Sequence, residues 1–320
     1  MARYVVTRLV ALVGIVFAIS IGCFALVHLL PGDPTVAILG TSDTPHNRAI
    51  VMRQLGLDRN IASQYLTWIG NVLHGNLGYS FAKGQSVSSI IAQSYRYDLF
   101  IIVLSQVIAY IVAIPLAVYS ARRAGGVLDQ GATSVTFAFY CLPSFILILW
   151  FVQLFAVKWH LFPGPGAPVF PTGESFVSEF RTNLRVFLLP SAVIALGTIA
   201  LYYRLLRGEM LATLQEEFIT VARSKGLSSR RILWHHALRP SSVTLLTSTG
   251  NNIALLLTGL FVVEYKLALP GIGYQLVVAT GQSDYLTVQG IALVVAVTVV
   301  VVNFAIDIIT TLVDPRIARA

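Results

Sequence analysis

Six stretches of this chain, near residues 9–30, 99–120, 132–157, 186–206, 242–263 and 288–310, are apolar almost throughout. Each reaches the roughly 20 residues that a helix needs to cross bilayer hydrocarbon. In that solvent the backbone must satisfy its own polar groups, so such runs are committed to helices. Only 11% of the residues are charged, against about 25% in soluble domains. The predicted fold class is all-α, a polytopic membrane protein with six transmembrane helices. A secretory signal is the alternative for the first run, since Arg3 and Arg8 precede it. Its span of 22 residues exceeds a signal core of roughly 7–15, and no small-residue cleavage site precedes the "PGDP" that follows, so a retained helix is predicted.

Charge orients the bundle. With the N-terminus inside, segments 1–8, 121–131, 204–241 and the tail after 310 hold 13 of the 22 Lys and Arg against five Asp and Glu. The outside segments hold nine basic and eight acidic residues. This bias follows the positive-inside rule and predicts cytoplasmic N- and C-termini. It also takes away the support that a net charge of +8 lends to nucleic-acid binding, because the excess lies at one membrane face. Cys23 and Cys141 fall in apolar runs and read as small hydrophobes; nothing has metal-ligand spacing.

Between the spans, "NIASQYLTWIGNVLHGNLGYS" sets Ile61, Tyr65, Trp68, Ile69, Val72 and Leu73 on one helical face. That predicts a helix lying in the interface or over the bundle mouth. "FPGPGAPVFPTG" (162–173) predicts a non-helical outside loop. "LPSF" (142–145) and "LPSA" (189–192) predict kinks within spans, tolerated where neighbours satisfy the freed backbone. Gln106, Gln153, Asn251, Asn252 and Asn303 are costly against lipid. They either bond between helices or line a translocation path. Asn251 and Asn252 are the leading path candidates, because two neighbours cannot share one helix face; Gln106 and Gln153 follow. His28 reads as interfacial, and His235 and His236 as part of a docking surface.

One segment contradicts the apolar context: "EEFITVARSKGLSSRRILWHHALRP", residues 216–240, between the fourth and fifth spans. Met210, Leu211, Leu214, Phe218, Val221 and Ala222 form an apolar stripe, with Glu216, Glu217 and Arg223 off it. Gly226 can end that helix in the left-handed conformation. Ser228 or Ser229 can cap a second, and Pro240 marks the return to the membrane. The prediction is a cytoplasmic helix–turn–helix that rests on anionic headgroups or docks a partner.

The run "ITVARSKGLSSRRILWHHALRP" resembles the EAA loop of permease subunits in binding-protein-dependent ABC importers, with Ala222 four residues before Gly226. Thr220 stands where many members have Glu, and Arg239–Pro240 puts the proline one position late. Both departures resemble the dipeptide and oligopeptide branch. So do "LLPGDP" (29–34), "QLGLDRNIASQYLTWIGNVLHGNLGYSF" (54–81) and "EYKLALPGIGYQLVVAT" (264–280). The tail "DIITTLVDPRIARA" is similar to the family's ending, with Asp307, Asp314, Pro315 and Arg316 in register and Thr310 in place of an aromatic.

The resemblance implies a type I ABC importer (MetI-like) permease fold. It implies an N-terminal helix and loop region at 1–95, a transmembrane domain at 96–314 and a cytoplasmic tail at 315–320. It implies half of a peptide pathway in a bacterial cytoplasmic membrane, paired with a second homologous permease, two ABC ATPase subunits and an extracytoplasmic peptide-binding protein. ATP and magnesium would sit on the ATPase, with no cofactor, metal or catalytic residue on this chain. The loop, which includes Glu217, would seat on the ATPase through Ala222, Leu227 and Ile232, turn at Gly226 and carry a charged rim of Arg223, Lys225, Arg230 and Arg231. Nickel, glutathione or sugar cargo is the alternative within the family.

Two other classes compete. The sequence has no GxxxxGK[ST] phosphate loop, so an ion gradient is the rival energy source. Asp307, near the cytoplasmic end of the last span, is the acid available for proton coupling, or it pairs with Arg316 or a helix end. A membrane anchor without transport activity is the third class, opposed by the polar residues within the spans.

Overall fold

A computed structural model describes residues 2–29, 39, 44–46, 52, 58–166 and 175–313. The first apolar run forms α1 (Ala2–Leu29), and the predicted amphipathic segment forms α2 (Ile61–Leu73). Asn60 caps α2, its Oδ1 accepting the Ser63 N–H at 2.7 Å. Tyr65 and Trp68 turn from α2 onto Phe24 of α1, with ring centroids 5.4 and 5.7 Å away. The hydroxyls of Ser20 and Tyr65 share a hydrogen bond of 2.7 Å. Ile61 and Leu73, assigned to the same face by periodicity, stay exposed at the helix ends.

The chain folds as two compact units. Residues 1–98 and 270–305 make the first. A two-stranded hairpin, β1 (Tyr79–Ser80) and β2 (Gln85–Ser86), precedes α3 (Val87–Arg122). Two further helices follow much later, α9 (Ile272–Gly281) and α10 (Tyr285–Val313). Asp284 accepts hydrogen bonds from the Thr287 hydroxyl at 2.7 Å and the Ser80 hydroxyl at 2.5 Å, capping α10 and holding the hairpin to it. Lys83 donates to Gln275. Burial pulls the Lys83 ammonium below its ordinary pKa, opposed by the nearby Asp284 carboxylate. Asp98 accepts the Ile272 N–H at 3.1 Å, supplying α9 with a cap from α3.

Residues 99–269 and 306–320 form the second unit. It holds the rest of α3, α4 (Val127–Cys141), α5 (Ser144–Phe151) with its π-helical continuation Val152–Lys158, and α6 (Phe176–Thr213). α7 (Glu217–Ser224) and α8 (Leu238–Leu267) complete it. Both α4 and α8 pack on α6. Ala109, Ala113 and Ala117 recur every four residues along α3, fully buried. Such small residues let neighbouring helices approach closely. They share a core with Tyr202, Tyr203, Leu206 and Met210 of α6.

The two Pro-Ser segments behave differently. Pro143 ends α4, with Leu142 extended at φ −84°, ψ 126°, the conformation that a following proline imposes. α4 and the α5 segment meet at 101°, a break rather than the predicted kink. Pro190 instead lies inside the continuous α6, where Ser191 donates to the Ile101 carbonyl at 3.2 Å. α8 bends by 48° beside Gly259. The described helices therefore supply four unbroken membrane-length segments, or six when each bent pair counts as one span.

"PGDP" and Asp314, Pro315 and Arg316 lie outside the described residues, as do residues 53–57, most of the Pro-Gly loop and the side chains of His28 and Asp307. A Cβ on Gly290 of α10 would meet Val87 Cγ1 at 2.6 Å, whereas one on Gly14 of α1 would meet nothing within 4 Å. Gly290→Leu is expected to destabilise the protein by about 1–3 kcal/mol through overpacking. Gly14→Leu should leave the thermal unfolding midpoint of the detergent-solubilised protein unchanged, and the two midpoints measured together check the contact.

Candidate functional site

The charged segment folds as a hairpin built onto the second unit. α7 ends as Lys225 N–H reaches the Val221 carbonyl at 3.1 Å and Leu227 N–H reaches that of Ala222 at 3.3 Å. Gly226 makes this reversal at φ +76°, and a Cβ there would meet no atom within 4 Å. Its requirement for glycine is thus conformational rather than a matter of space. Ser228 caps the next turn, accepting the Arg231 N–H at 3.4 Å. The chain then continues through a π-helical Ile232–Ala237 into α8.

The hairpin has two apolar faces. Ile219, Ala222, Ile232, Leu233 and Ala237 are buried in the same cluster as Leu206 and Met210 of α6. Phe218 and Val221 are 46% and 52% exposed. Two of the residues expected to seat on a partner, Ala222 and Ile232, therefore face inward and fasten the hairpin to its own bundle. Leu227 is half-buried. The outward apolar step belongs to Phe218 and Val221, flanked by exposed Glu217, Arg223, Lys225, Arg230 and Arg231. A single stripe read from Met210 to Ala222 missed this because the chain turns between α6 and α7. Trp234 is half-buried, edge-on to Tyr119 with centroids 6.2 Å apart.

A buried ion pair ties the start of α4 to the end of α6, the helix that leads into the hairpin. Asp129, 3% exposed in the first turn of α4, takes Arg207 of α6 through two bonds of 2.5 and 2.6 Å. The Gly125 N–H adds a third bond at 2.8 Å, and the Tyr203 hydroxyl approaches Asp129 Oδ1 at 3.2 Å. Tyr203 also reaches Ser120 of α3 at 3.2 Å and Thr133 at 3.0 Å. Both carboxylate oxygens find donors, which is what makes a buried charge tolerable. Asp129 and Arg207 are 78 residues apart, and in sequence they register only as cytoplasmic charge.

A second network lies at membrane depth. Tyr202 donates to Gln106 at 2.6 Å, and Gln106 donates to Asn252 at 3.3 Å. Thr198 donates to Asn252 at 3.4 Å. Tyr110 stacks on Tyr202, with centroids 5.4 Å apart, and bonds to Thr249. Gln106 and Asn252 thus join α3, α6 and α8 and spend their polar groups between helices. Asn251 and Gln153 are exposed, so the four path candidates divide into two pairs. Asn303 is also exposed. Among the described residues, no group of three His, Cys, Asp or Glu side chains is placed to hold a metal ion.

A helical membrane bundle with a short hairpin fused to its core and a charged outer rim defines a permease-type subunit. Residues 113–319 match the family described as binding-protein-dependent transport system inner membrane component, and residues 1–102 match that family's N-terminal region. The chain belongs to this family. It is similar to a probable peptide ABC transporter permease protein of Sinorhizobium fredii, at 30% identity over 99% of both chains. It is also similar to the di/tripeptide transport system permease protein DppB of Pseudomonas aeruginosa, at 32% identity, and to the dipeptide transport system permease protein DppB of Escherichia coli, at 30%. Both of those comparisons cover 99% of each chain.

Asp129→Ala leaves Arg207 without its carboxylate. The expected cost is about 2 kcal/mol, below the 3–5 kcal/mol typical of fully buried pairs, because Arg207 is 28% exposed. A double-mutant cycle with Arg207→Met, read by thermal unfolding of the solubilised protein, should return a double variant less destabilised than the two single losses combined.

Proposed function

We propose that this chain forms half of the translocation pathway of an ATP-driven importer of di- and oligopeptides. It pairs in the cytoplasmic membrane with a second homologous permease, two ABC ATPase subunits and an extracytoplasmic binding protein. The observation that carries this reading is the two-faced hairpin. One face is continuous with the bundle core, and the other presents an apolar step with a basic rim. An interface needs that arrangement, an apolar centre to bury and charges at the edge to orient it. Force applied at Phe218 and Val221 passes through Ile219 and Ala222 into the core that they share with α6 and α8.

The other assignments follow. The sequence carries no phosphate-cradling loop, so ATP, magnesium and hydrolysis belong to the ATPase and this chain is non-catalytic. The excess of Lys and Arg supports a cytoplasmic position for the hairpin and both termini. Peptide cargo is supported by the names of the three similar permeases. Glu217 in the first turn of α7 complements the helix dipole. Arg223, Lys225, Arg230 and Arg231 form the rim.

Reconstituted with those partners, the complex is expected to take up radiolabelled alanine peptides only with ATP inside and the binding protein outside. Uptake by this chain alone on a proton or sodium gradient would overturn the assignment. Gly226→Val puts a β-branched residue at φ +76°, a strain of roughly 1–2 kcal/mol. It should lower uptake per ATP hydrolysed, measured in the same vesicles. Phe218→Ala combined with Val221→Ala should reduce copurification of the ATPase while leaving the unfolding free energy of the isolated chain within about 0.5 kcal/mol of wild type, as for surface positions.

A further inference from the structure

Arg204 of α6 is exposed, and its guanidinium carbon lies 5.7 Å from the centre of the Tyr140 ring on α4. Among the described residues no carboxylate pairs with it. The cation borders a small open cleft of about 80 Å³ between α4 and α6, walled by Phe137, Leu201, Thr133 and Thr136. Tyr140 stands eleven residues beyond Asp129 on α4, about 16 Å along the helix axis. Arg204 therefore reaches from the buried ion pair toward the membrane interior.

The cleft opens beside the break in α4. Cys141, Leu142 and Pro143 are all exposed there. A helix end at membrane depth frees backbone groups that lipid cannot satisfy, so such breaks are found only against protein or water. A guanidinium without a carboxylate is subject to the same restriction. Both costs vanish together if this side of α4 lines a water-filled passage. A guanidinium there presents a fork of donors matched to a carboxylate, and the Tyr140 ring supports it from one side. Apolar walls next to it accept side chains without selecting among them.

Resting on the peptide-importer function stated above, we propose that Arg204 and Tyr140 form a station on the translocation path that binds the C-terminal carboxylate of the passing peptide. The group it grips is common to all free peptides, so the station discriminates by charge and not by sequence. Neither Arg204 nor Tyr140 stands out in the primary structure, where Arg204 counts only as one more basic residue at a span end.

The test uses the full complex in proteoliposomes, with p-benzoylphenylalanine installed at Phe137. The probe is the tritiated alanine peptide, from dialanine to pentaalanine, that the wild-type importer carries fastest. Photolysis during vanadate arrest is expected to place tritium on this chain, and excess unlabelled peptide should remove it. Arg204→Gln should cut the label, and the peptide carried per ATP hydrolysed, about tenfold, as for one charge-assisted hydrogen bond. Arg204→Lys should restore part of both. An adduct with phospholipid or with the second permease alone would overturn the station, as would wild-type transport by Arg204→Gln. Failure of the wild-type complex to carry any of these peptides with ATP would instead remove the cargo assignment itself.

Discussion

Everything in this molecule answers to one constraint: in hydrocarbon, a backbone amide without a partner is too costly to keep. The constraint commits the apolar runs to helices and turns each departure from helical geometry into a marker of its surroundings. Where Pro190 sits inside α6 the helix is unbroken and Ser191 bonds to the neighbouring α3. Where Pro143 ends α4 the chain turns by 101° with its corner exposed. Two prolines in nearly identical sequence contexts thus have different environments, and the difference is one of tertiary partners rather than local propensity.

The polar side chains within the second unit obey the same rule by two routes. Gln106, Asn252, Tyr202 and Thr198 satisfy one another and bind three helices together. Asp129 and Arg207 do so with charge, at the ends of α4 and α6. Between these two networks runs the alanine stripe of α3, where close packing substitutes for polar bonds. The hairpin is continuous with this structure through Ile219, Ala222 and Ile232, so it behaves as an extension of the bundle rather than a loop attached to it.

Sequence reasoning recovered what depends on local pattern. The apolar runs, the amphipathic α2, the reversal at Gly226 and a serine cap at 228 or 229 all announce themselves within a few residues. It failed where the answer depends on which distant element covers a face. Ala222 and Phe218 are both apolar and four residues apart, and only the presence of α6 on one side decides that Ala222 is buried and Phe218 exposed. The partnership of Asp129 with Arg207 and the placement of Arg204 over Tyr140 join α4 to α6, and neither spacing nor composition encodes them. Asn251 and Asn252 were rightly separated by helix geometry, yet which one turned inward required the position of Gln106.

The division of the hairpin into an inner and an outer face also bears on how such a subunit can change over time. Residues 218 and 221 contribute little to holding the chain together, while residues 219 and 222, their immediate neighbours, hold it throughout. Under the docking proposed above, exchange of the outer pair can follow drift in a partner without disturbing the bundle, and repacking of the inner pair can follow drift in α6 without disturbing that contact. Two lineages of mutation can therefore proceed side by side on a single helix of eight residues.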